Sequence, residues 1–409
     1  MKHGFVSLAL MLVLMLACGS VDASVPATEP VSSLEPTSTL EVESVASEPP
    51  MTAAPIDACK LQPFAFTNVG LGLPNPSHKL PSLGEVKTIV LFADFLDVPA
   101  SQAPQTLFSL VSPDAETFFY KMSYGRMNWT LEPHFVWLRL SQPSAFYGDG
   151  IRSYEGHLRF IQEAVTLADT DVDFSTADSV VVMVPPEATA IGYGPALGAN
   201  PGEGYTADGK VFSNGVTSGA DMPGWGYLWL NHETGHIMGL PDLYSYQFDP
   251  VNYDDQHRFA GGFGLMGYID GLAPEFFAFE RWQMGWLDDS QIVCQTEAEG
   301  TITLAPIETA GGIKAVMIPV SESKVVVVES RRPAGYDASI PKSGALVYTV
   351  DTSIFSGEGT LVVHPIFEND PYRYKSPLAL GEMVTVDRVT ITVISADANG
   401  DTVQVVVTK

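Results

Sequence analysis

The chain has 409 residues, and 45% of them are hydrophobic, so it can form one large domain and a smaller one with a sizeable core. Lysine and arginine number 21 against 48 aspartates and glutamates, which gives a formal net charge of −27 at pH 7. Such a surface repels phosphate groups, so we expect no nucleic-acid partner, and it offers no basic patch for anionic lipid.

Residues 1–23 have the pattern of an export signal, with a basic start before an apolar run too short to span a bilayer comfortably. Two processing sites compete. Residues 21–23 (VDA) resemble a signal-peptidase site, and residues 15–18 (MLAC) resemble an imperfect bacterial lipobox that would place a lipid on Cys18. We favour the lipoprotein, with a lipid anchor at the membrane surface, because a stalk-like segment follows. An ordinary secreted protein is the alternative, and either one lies outside the cell.

Residues 24–58 are rich in serine, proline, threonine and glutamate. Such a composition cannot bury enough apolar surface to fold, so it predicts a disordered tether. A short pro-segment is an equally open interpretation. With Cys18 lipidated or removed, Cys59 and Cys294 remain, and we expect them to form a disulfide in an oxidising compartment, two free thiols being the alternative.

The folded part begins near Cys59 and divides into two predicted domains, residues 59–296 and 297–409. In the first, apolar runs predict strands and periodic apolar positions predict helices. A glycine-rich stretch predicts loops and edge strands in front of a cleft. In the second, short β-branched runs from Thr301 onward predict an all-β sandwich. The elements of the first domain are strands at 86–96 and 179–185, helices at 105–124 and from Asp221 to Gly239, and the glycine-rich stretch at 192–219.

Two histidines of the second predicted helix have the spacing of metal ligands. His232 and His236 are four residues apart and therefore lie on one face of the helix. Neutral imidazole is a good Zn²⁺ ligand, and a catalytic zinc site has three protein ligands and one open position. Glu233 would project beside the ion, where it can act as general base and acid. Histidines buried for structural reasons are the alternative.

The residues after the helix strengthen this interpretation. Gly239 stands where the helix must stop and the chain must turn back, which needs a positive φ. Asp242 follows three residues later and could supply the third ligand, giving the pattern HExxHxxGxxD. A loop cap or a carboxylate bonded to a ligand is the alternative for Asp242.

Downstream, Met266 stands in a glycine-rich turn, as in the Met-turn below the metal of metzincins. An ordinary core methionine is the alternative. Tyr268 follows two residues later and could donate a hydrogen bond to the oxyanion, or simply pack in the cleft wall.

These residues together resemble the immune inhibitor A family of secreted bacterial metallopeptidases, a metzincin-type group. The resemblance covers roughly Val86 to Asp351. One departure is Phe263-Gly264, where the family often has Trp-Asp. The matching stretches are HETGHIMGLPDLY (232–244), GGFGLMG (261–267), PEFFAFERWQMGWL (274–287), residues 325–351, IVLFADFLD (89–97) and FYKMSYGRMNWT (119–130).

The resemblance implies an α+β protein with a metzincin-like zinc peptidase domain and a C-terminal β domain. It implies an endopeptidase with His232, His236 and Asp242 on zinc and Glu233 as general base, acting on proteins or peptides. Structural calcium also fits the family, and Asp249, Asp254 and Asp255 are candidate ligands, although a solvated acidic loop explains them better. We expect a monomer.

Two other functions remain open. The first is a surface lipoprotein that binds a partner and holds a non-catalytic metal site. The second is a zinc hydrolase of non-peptide amides or esters. The intact His232, Glu233 and His236 argue against a degenerate site.

Overall fold

In a computed structural model of the chain, residues 56–63 and 68–408 are described. The predicted export signal, Cys18 and nearly all of the predicted tether lie outside these residues. Among the described residues, every helix is too short or too polar to cross a membrane.

The described residues form an α+β protein, as the sequence predicts. The helices are α1 (Pro104–Phe108), α2 (Asp114–Met122), α3 (Ser144–Gly150), α4 (Tyr154–Ala168), α5 (Met222–Trp225), α6 (Tyr227–Ile237) and α7 (Ala278–Gln283), with 3₁₀ turns at Ile56–Cys59, Tyr253–His257, Asp289–Gln291 and Gly335–Asp337. The strands are β1 (Gly84–Asp94), β2 (Met127–Arg139), β3 (Ser179–Met183), β4 (Ala196–Gly198), β5 (Tyr205–Ala207), β6 (Lys210–Phe212), β7 (Asn214–Thr217), β8 (Ile292–Cys294), β9 (Glu299–Leu304), β10 (Ala315–Pro319), β11 (Lys324–Arg331), β12 (Gly344–Asp351), β13 (Leu361–His364), β14 (Met383–Val386), β15 (Val389–Asp397) and β16 (Gly400–Val407).

The first sheet has the strand order β2-β1-β3-β7-β4. β1 pairs in parallel with β2 and β3, and β7 continues the parallel pairing, whereas β4 is an antiparallel edge strand. The run from Ile89 to Ala93 is buried on both faces, which explains its unbroken apolar character. The edge strand β4 borders helix α6, so the sheet places a free strand edge beside the predicted metal-binding residues.

The C-terminal region is all-β, and its two sheets form the expected sandwich. One sheet has the order β13-β12-β11-β10-β8, and the other has the order β14-β15-β16-β9. Apolar side chains of both sheets form one shared buried core. Members of this core include Ile302, Val316, Val326, Val347, Ile391 and Val403.

The two predicted domains share a second, larger core. Phe119, Trp229 and Trp286 of the first predicted domain belong to the same buried cluster as Met317 and Tyr348 of the second. A disulfide joins Cys59, at the start of the described chain, to Cys294 in β8. The boundary near residue 296 stays a prediction.

Two predicted helices are each divided. The helix expected at 105–124 is α1 and α2, separated by residues 109–113, which end at Pro113, a residue that does not suit a helix interior. The helix expected from Asp221 to Gly239 is α5 and α6, separated at Gly226, whose φ of +58° interrupts the helix. The prediction of two continuous helices was therefore wrong.

The pH dependence of stability can be predicted at Glu280, in α7. Its Oε2 accepts the N–H of Phe277, and its Oε1 has no hydrogen-bond partner among the described residues. Burial raises the pKa of Glu280 from 4.5 to about 8. Between these values the folded state keeps a proton that the unfolded state has lost, so Glu280 makes the free energy of unfolding fall by about 1.4 kcal/mol per pH unit as the pH rises.

Glu280→Gln removes this titration. We expect the difference in free energy of unfolding between the variant and the wild type to grow in the variant's favour from about pH 5 to about pH 8. Urea unfolding of both proteins across this range measures the difference. The exposed Glu297 gives a control, since Glu297→Gln should keep the wild-type pH dependence. A difference between Glu280→Gln and wild type that does not vary with pH would contradict the prediction.

Candidate metal centre

Helix α6 places the two histidines side by side. The imidazole centroids of His232 and His236 are 4.8 Å apart, and their ring planes are nearly perpendicular. His232 is buried, whereas His236 and Glu233 are partly exposed on the same side of the helix. One ligand atom from each of these three residues lies within 4.8 Å of the others. The three residues therefore form a group that could hold a metal ion.

A turn after α6 brings Asp242 to the histidines. Gly239 has a φ of +106°, and the N–H of Leu240 bonds to the carbonyl of Gly235, which ends the helix. The chain then reverses, and Oδ1 of Asp242 lies 3.2 Å from Nε2 of His232 and 3.3 Å from Nε2 of His236. Asp242 is therefore a candidate third ligand, and its coordination of a metal ion stays a prediction.

The hydrogen bonds around the histidines determine which nitrogen faces the site. Nδ1 of His232 lies 3.0 Å from the carbonyl of Leu265, and Nδ1 of His236 lies 2.8 Å from the carbonyl of Leu240. A carbonyl can only accept, so both Nδ1 atoms donate, and each ring presents its lone pair at Nε2 when it is neutral. Among the described residues, Oδ1 of Asp242 accepts no hydrogen bond. Two nitrogens and one oxygen thus form a candidate ligand set for a metal ion.

The carboxylates of the site favour a positive charge between them and the histidines. Burial alone would lower the pKa of His236, but the carboxylates of Asp242 and Glu233 outweigh it and raise this pKa to about 9. Burial likewise opposes the ionisation of Asp242, but the two histidines hold the pKa of Asp242 well below its usual range. Burial raises the pKa of Glu233. A metal ion at this position would replace the proton on His236, so binding would release a proton.

Met266 lies directly against the histidine helix. A Cβ added to Gly235 would stand 2.6 Å from the sulfur of Met266, so only glycine allows this contact between the two histidines. The neighbouring carbonyl of Leu265 is the one that holds His232. The N–H of Leu243 donates to the carbonyl of Met266 and joins this turn to the Asp242 segment. This position fits a Met-turn, which stays a prediction.

A cleft of about 410 Å³ opens in front of these residues. Glu233 lines this cleft together with Ala196 and Gly198 of the edge strand β4. The cleft can therefore place an extended backbone beside a carboxylate and the three ligand atoms. Its lining consists of Asn68, Val69, Tyr193, Pro195, Ala196, Gly198, His232, Glu233, His236, Asp242, Tyr244 and Tyr246.

Tyr268 and the candidate calcium ligands lie elsewhere. The ring of Tyr268 stacks on His257 at 4.0 Å and on Tyr372 at 5.7 Å, and Tyr268 is not among the residues that line this cleft. Its role at the oxyanion stays a prediction. The proposed calcium ligands bond to other protein groups: Asp249 to the N–H of Val251, Asp254 to the hydroxyl of Tyr372, and Asp255 to Arg258.

Several residues at the site are missing from the sequence interpretation. The segment around Asn68 and Val69 lines the cleft, and Asn75 donates to the carbonyl of Met238 next to the metal-binding turn. Tyr246 donates to Asp242, and Ser356 accepts the N–H of Asp242 from 114 residues away. The tyrosine lies four residues after Asp242, a signal that could have been noticed. Nothing in the local sequence marks Ser356.

The fold and the site together define an α+β protein with a candidate metal centre in a cleft and a C-terminal β-sandwich. No protein-family model matches the chain, and no curated protein matches it. Among solved structures it shows a likeness to metalloproteinase-II from Bacteroides fragilis, with a TM-score of 0.28 and 13% sequence identity. The likeness covers 53% of this chain and 57% of that protein, so the chain spans less than two thirds of its length. The functional assignment therefore rests on the site.

Proposed function

We propose that the chain is a zinc endopeptidase that hydrolyses peptide bonds with Glu233 as general base and acid. One observation carries the proposal: Oδ1 of Asp242 lies 3.2 Å from Nε2 of His232 and 3.3 Å from Nε2 of His236, beside Glu233 in an open cleft. The pattern of two nitrogens, one carboxylate oxygen and an open side is that of a catalytic zinc site.

A zinc ion held by these three ligands would polarise water and the scissile carbonyl. The chain's own groups do the rest. Glu233 accepts the proton of the attacking water and then delivers it to the departing amine, which makes the amine a better leaving group. Edge strand β4 has no partner strand on its outer side among the described residues, so an extended substrate would pair there and replace the hydrogen bond that Asn68 donates to the carbonyl of Gly198.

The motif resemblance extends this proposal. Membership of the immune inhibitor A family, a Met-turn formed by Met266, and export with a lipid on Cys18 are parts of it that follow from sequence alone. Proteins or peptides outside the cell would then be the substrates, and the protein would act as a monomer.

Removal of the metal is expected to abolish hydrolysis, because three of the four groups that the mechanism uses act through it. The measurement uses a quenched fluorescent peptide library with the full-length protein, before and after treatment with a chelator, and with zinc content determined at each step. We expect cleavage to be lost on chelation and restored by about one equivalent of Zn²⁺.

His236→Ala is the matched test of the site, and His364→Ala, in β13, is its control. The first should lose both zinc and cleavage, and the second should keep both. Cleavage that survives full removal of metal would contradict the proposal. Stoichiometric zinc without cleavage of any peptide would contradict the peptidase assignment and favour the binding module or an amide or ester substrate.

A further inference from the structure

The candidate metal centre is completed by a loop of the C-terminal sandwich. This loop, residues 352–360, connects β12 to β13 and carries Ser356 and Gly357. The N–H of Gly357 donates to the carbonyl of Asp242 at 3.1 Å, and the N–H of Tyr246 donates to the carbonyl of Gly357 at 3.0 Å. The loop is therefore bonded to the backbone on both sides of the metal-binding segment.

The side chains add a closed ring of three hydrogen bonds. The hydroxyl of Tyr246 lies 2.6 Å from Oδ2 of Asp242, and because an ionised carboxylate can only accept, the tyrosine donates. The N–H of Asp242 donates to Oγ of Ser356 at 2.9 Å. Oγ of Ser356 lies 2.9 Å from the Tyr246 hydroxyl, whose only proton is already used, so Ser356 donates to it. The ring thus begins and ends on Asp242.

In this ring the two carboxylate oxygens of Asp242 have different contacts. Oδ2 is held by Tyr246, and Oδ1 faces His232 and His236. A carboxylate held at one oxygen cannot rotate freely about its side chain, and a ligand fixed in this way loses less entropy when an ion binds.

We propose that Tyr246, Ser356 and Gly357 are positioning residues of the metal centre. The loop of the C-terminal sandwich then helps to orient a metal ligand. They hold Asp242 so that Oδ1 alone points to the metal. This inference rests on the metal centre of the proposed function, but it concerns metal affinity and does not depend on which bond the protein hydrolyses.

The structure offers an unusually direct test at Gly357. This residue has a φ of +74°, and an added Cβ would stand 2.3 Å from the ring of Tyr246, so Gly357→Ala must displace the tyrosine. Gly381 has a φ of +82° and open space around an added Cβ. Gly381→Ala therefore carries the same kind of backbone strain without touching the site, and it is the matched control.

Zn²⁺ affinity and release are measured on the full-length protein by competition with a chromophoric chelator. We expect Tyr246→Phe to weaken affinity about 10- to 100-fold and to speed release, since it removes the proton given to Oδ2. Gly357→Ala should do the same. Tyr253→Phe, at an exposed tyrosine, and Gly381→Ala should keep the wild-type affinity. At saturating Zn²⁺, Tyr246→Phe should change kcat with little change in KM.

A double variant tests the ring itself. Ser356→Ala should weaken affinity less than Tyr246→Phe, and the combined loss should be smaller than the product of the two single losses, because both act partly through the same phenol. If the loss of Zn²⁺ affinity in the double variant equals the product of the two single losses, Tyr246 and Ser356 act independently and the ring of hydrogen bonds is contradicted. Thermal unfolding of each variant shows whether it folds, and if Gly357→Ala does not, Tyr246→Phe and Ser356→Ala still decide the question.

The outcomes separate this inference from the proposed function. Wild-type affinity and release rate in Tyr246→Phe would overturn the positioning role, even if the wild type is an active peptidase. Tight zinc binding that is weakened in Tyr246→Phe would support it, even if no peptide is cleaved. Absence of metal binding by the wild type would overturn the metal centre and this inference together.

Discussion

Glu233→Gln is expected to lower kcat for peptide hydrolysis by about 10²- to 10⁴-fold at unchanged metal content. The amide has nearly the shape of the carboxylate but cannot accept the proton of the attacking water. Glu233 lines the cleft beside the three proposed ligands and is not one of them, so we expect those ligands to remain in place in the variant. The loss should therefore appear in the chemical step and not in zinc affinity.

The measurement compares kcat, KM and zinc content of the wild type and Glu233→Gln. Glu155→Gln, at an exposed glutamate in the first turn of α4, is the control and should keep the wild-type rate. A Glu233→Gln protein that hydrolyses peptide at the wild-type rate would show that another group is the base. A variant that has lost its zinc would show that Glu233 is a ligand.

Arg331→Met is expected to lower the free energy of unfolding by about 3–5 kcal/mol. Arg331 is fully buried, with 2.6 Å contacts to both Glu329 and Asp337. Its guanidinium also lies over the rings of Phe263 and Phe277 and donates to the carbonyl of Glu275. Methionine fills part of the volume but leaves two buried carboxylates without their cation.

The carboxylates make the effect large because each also holds backbone. Glu329 accepts the N–H of Ala278, at the start of α7, and Asp337 accepts the N–H of Glu275. Loss of the cation therefore loosens the contact between α7 and the C-terminal strands. Urea unfolding measures the effect, with Arg159→Met at an exposed arginine as control. A loss below about 1 kcal/mol, the scale of surface ion pairs, would contradict the expectation.

The helix boundaries show where the sequence interpretation failed. Apolar periodicity predicts a helix at 105–124 and another from Asp221 to Gly239, yet both are divided. The breaks lie at Pro113 and Gly226, residues whose backbone preferences compete with the periodic pattern. Periodicity reports which side of a segment is buried, and a bent pair of short helices can bury the same side as one long helix.

The charges of the interior are a second case. Arg281, Arg331, Glu280 and Glu329 are fully buried, although charged residues usually indicate a surface. Their burial depends on partners from distant parts of the chain: Arg281 donates to the carbonyls of Met122 and Ile307, and Tyr348 donates to Glu329. Such pairs of distant residues cannot be predicted from the local sequence around each charged residue.

Features that depend on neighbours along the chain could be predicted from the sequence. The spacing of His232 and His236 places them on one face of a helix, Gly239 has the positive φ that its position requires, and β-branched runs form the C-terminal sandwich. Which oxygen of Asp242 faces the histidines follows from the folded chain, because Tyr246, which holds Oδ2, is itself bonded to Ser356 in a distant loop. Helical and strand periods act over a few residues, whereas the orientation of a buried carboxylate depends on every group packed around it.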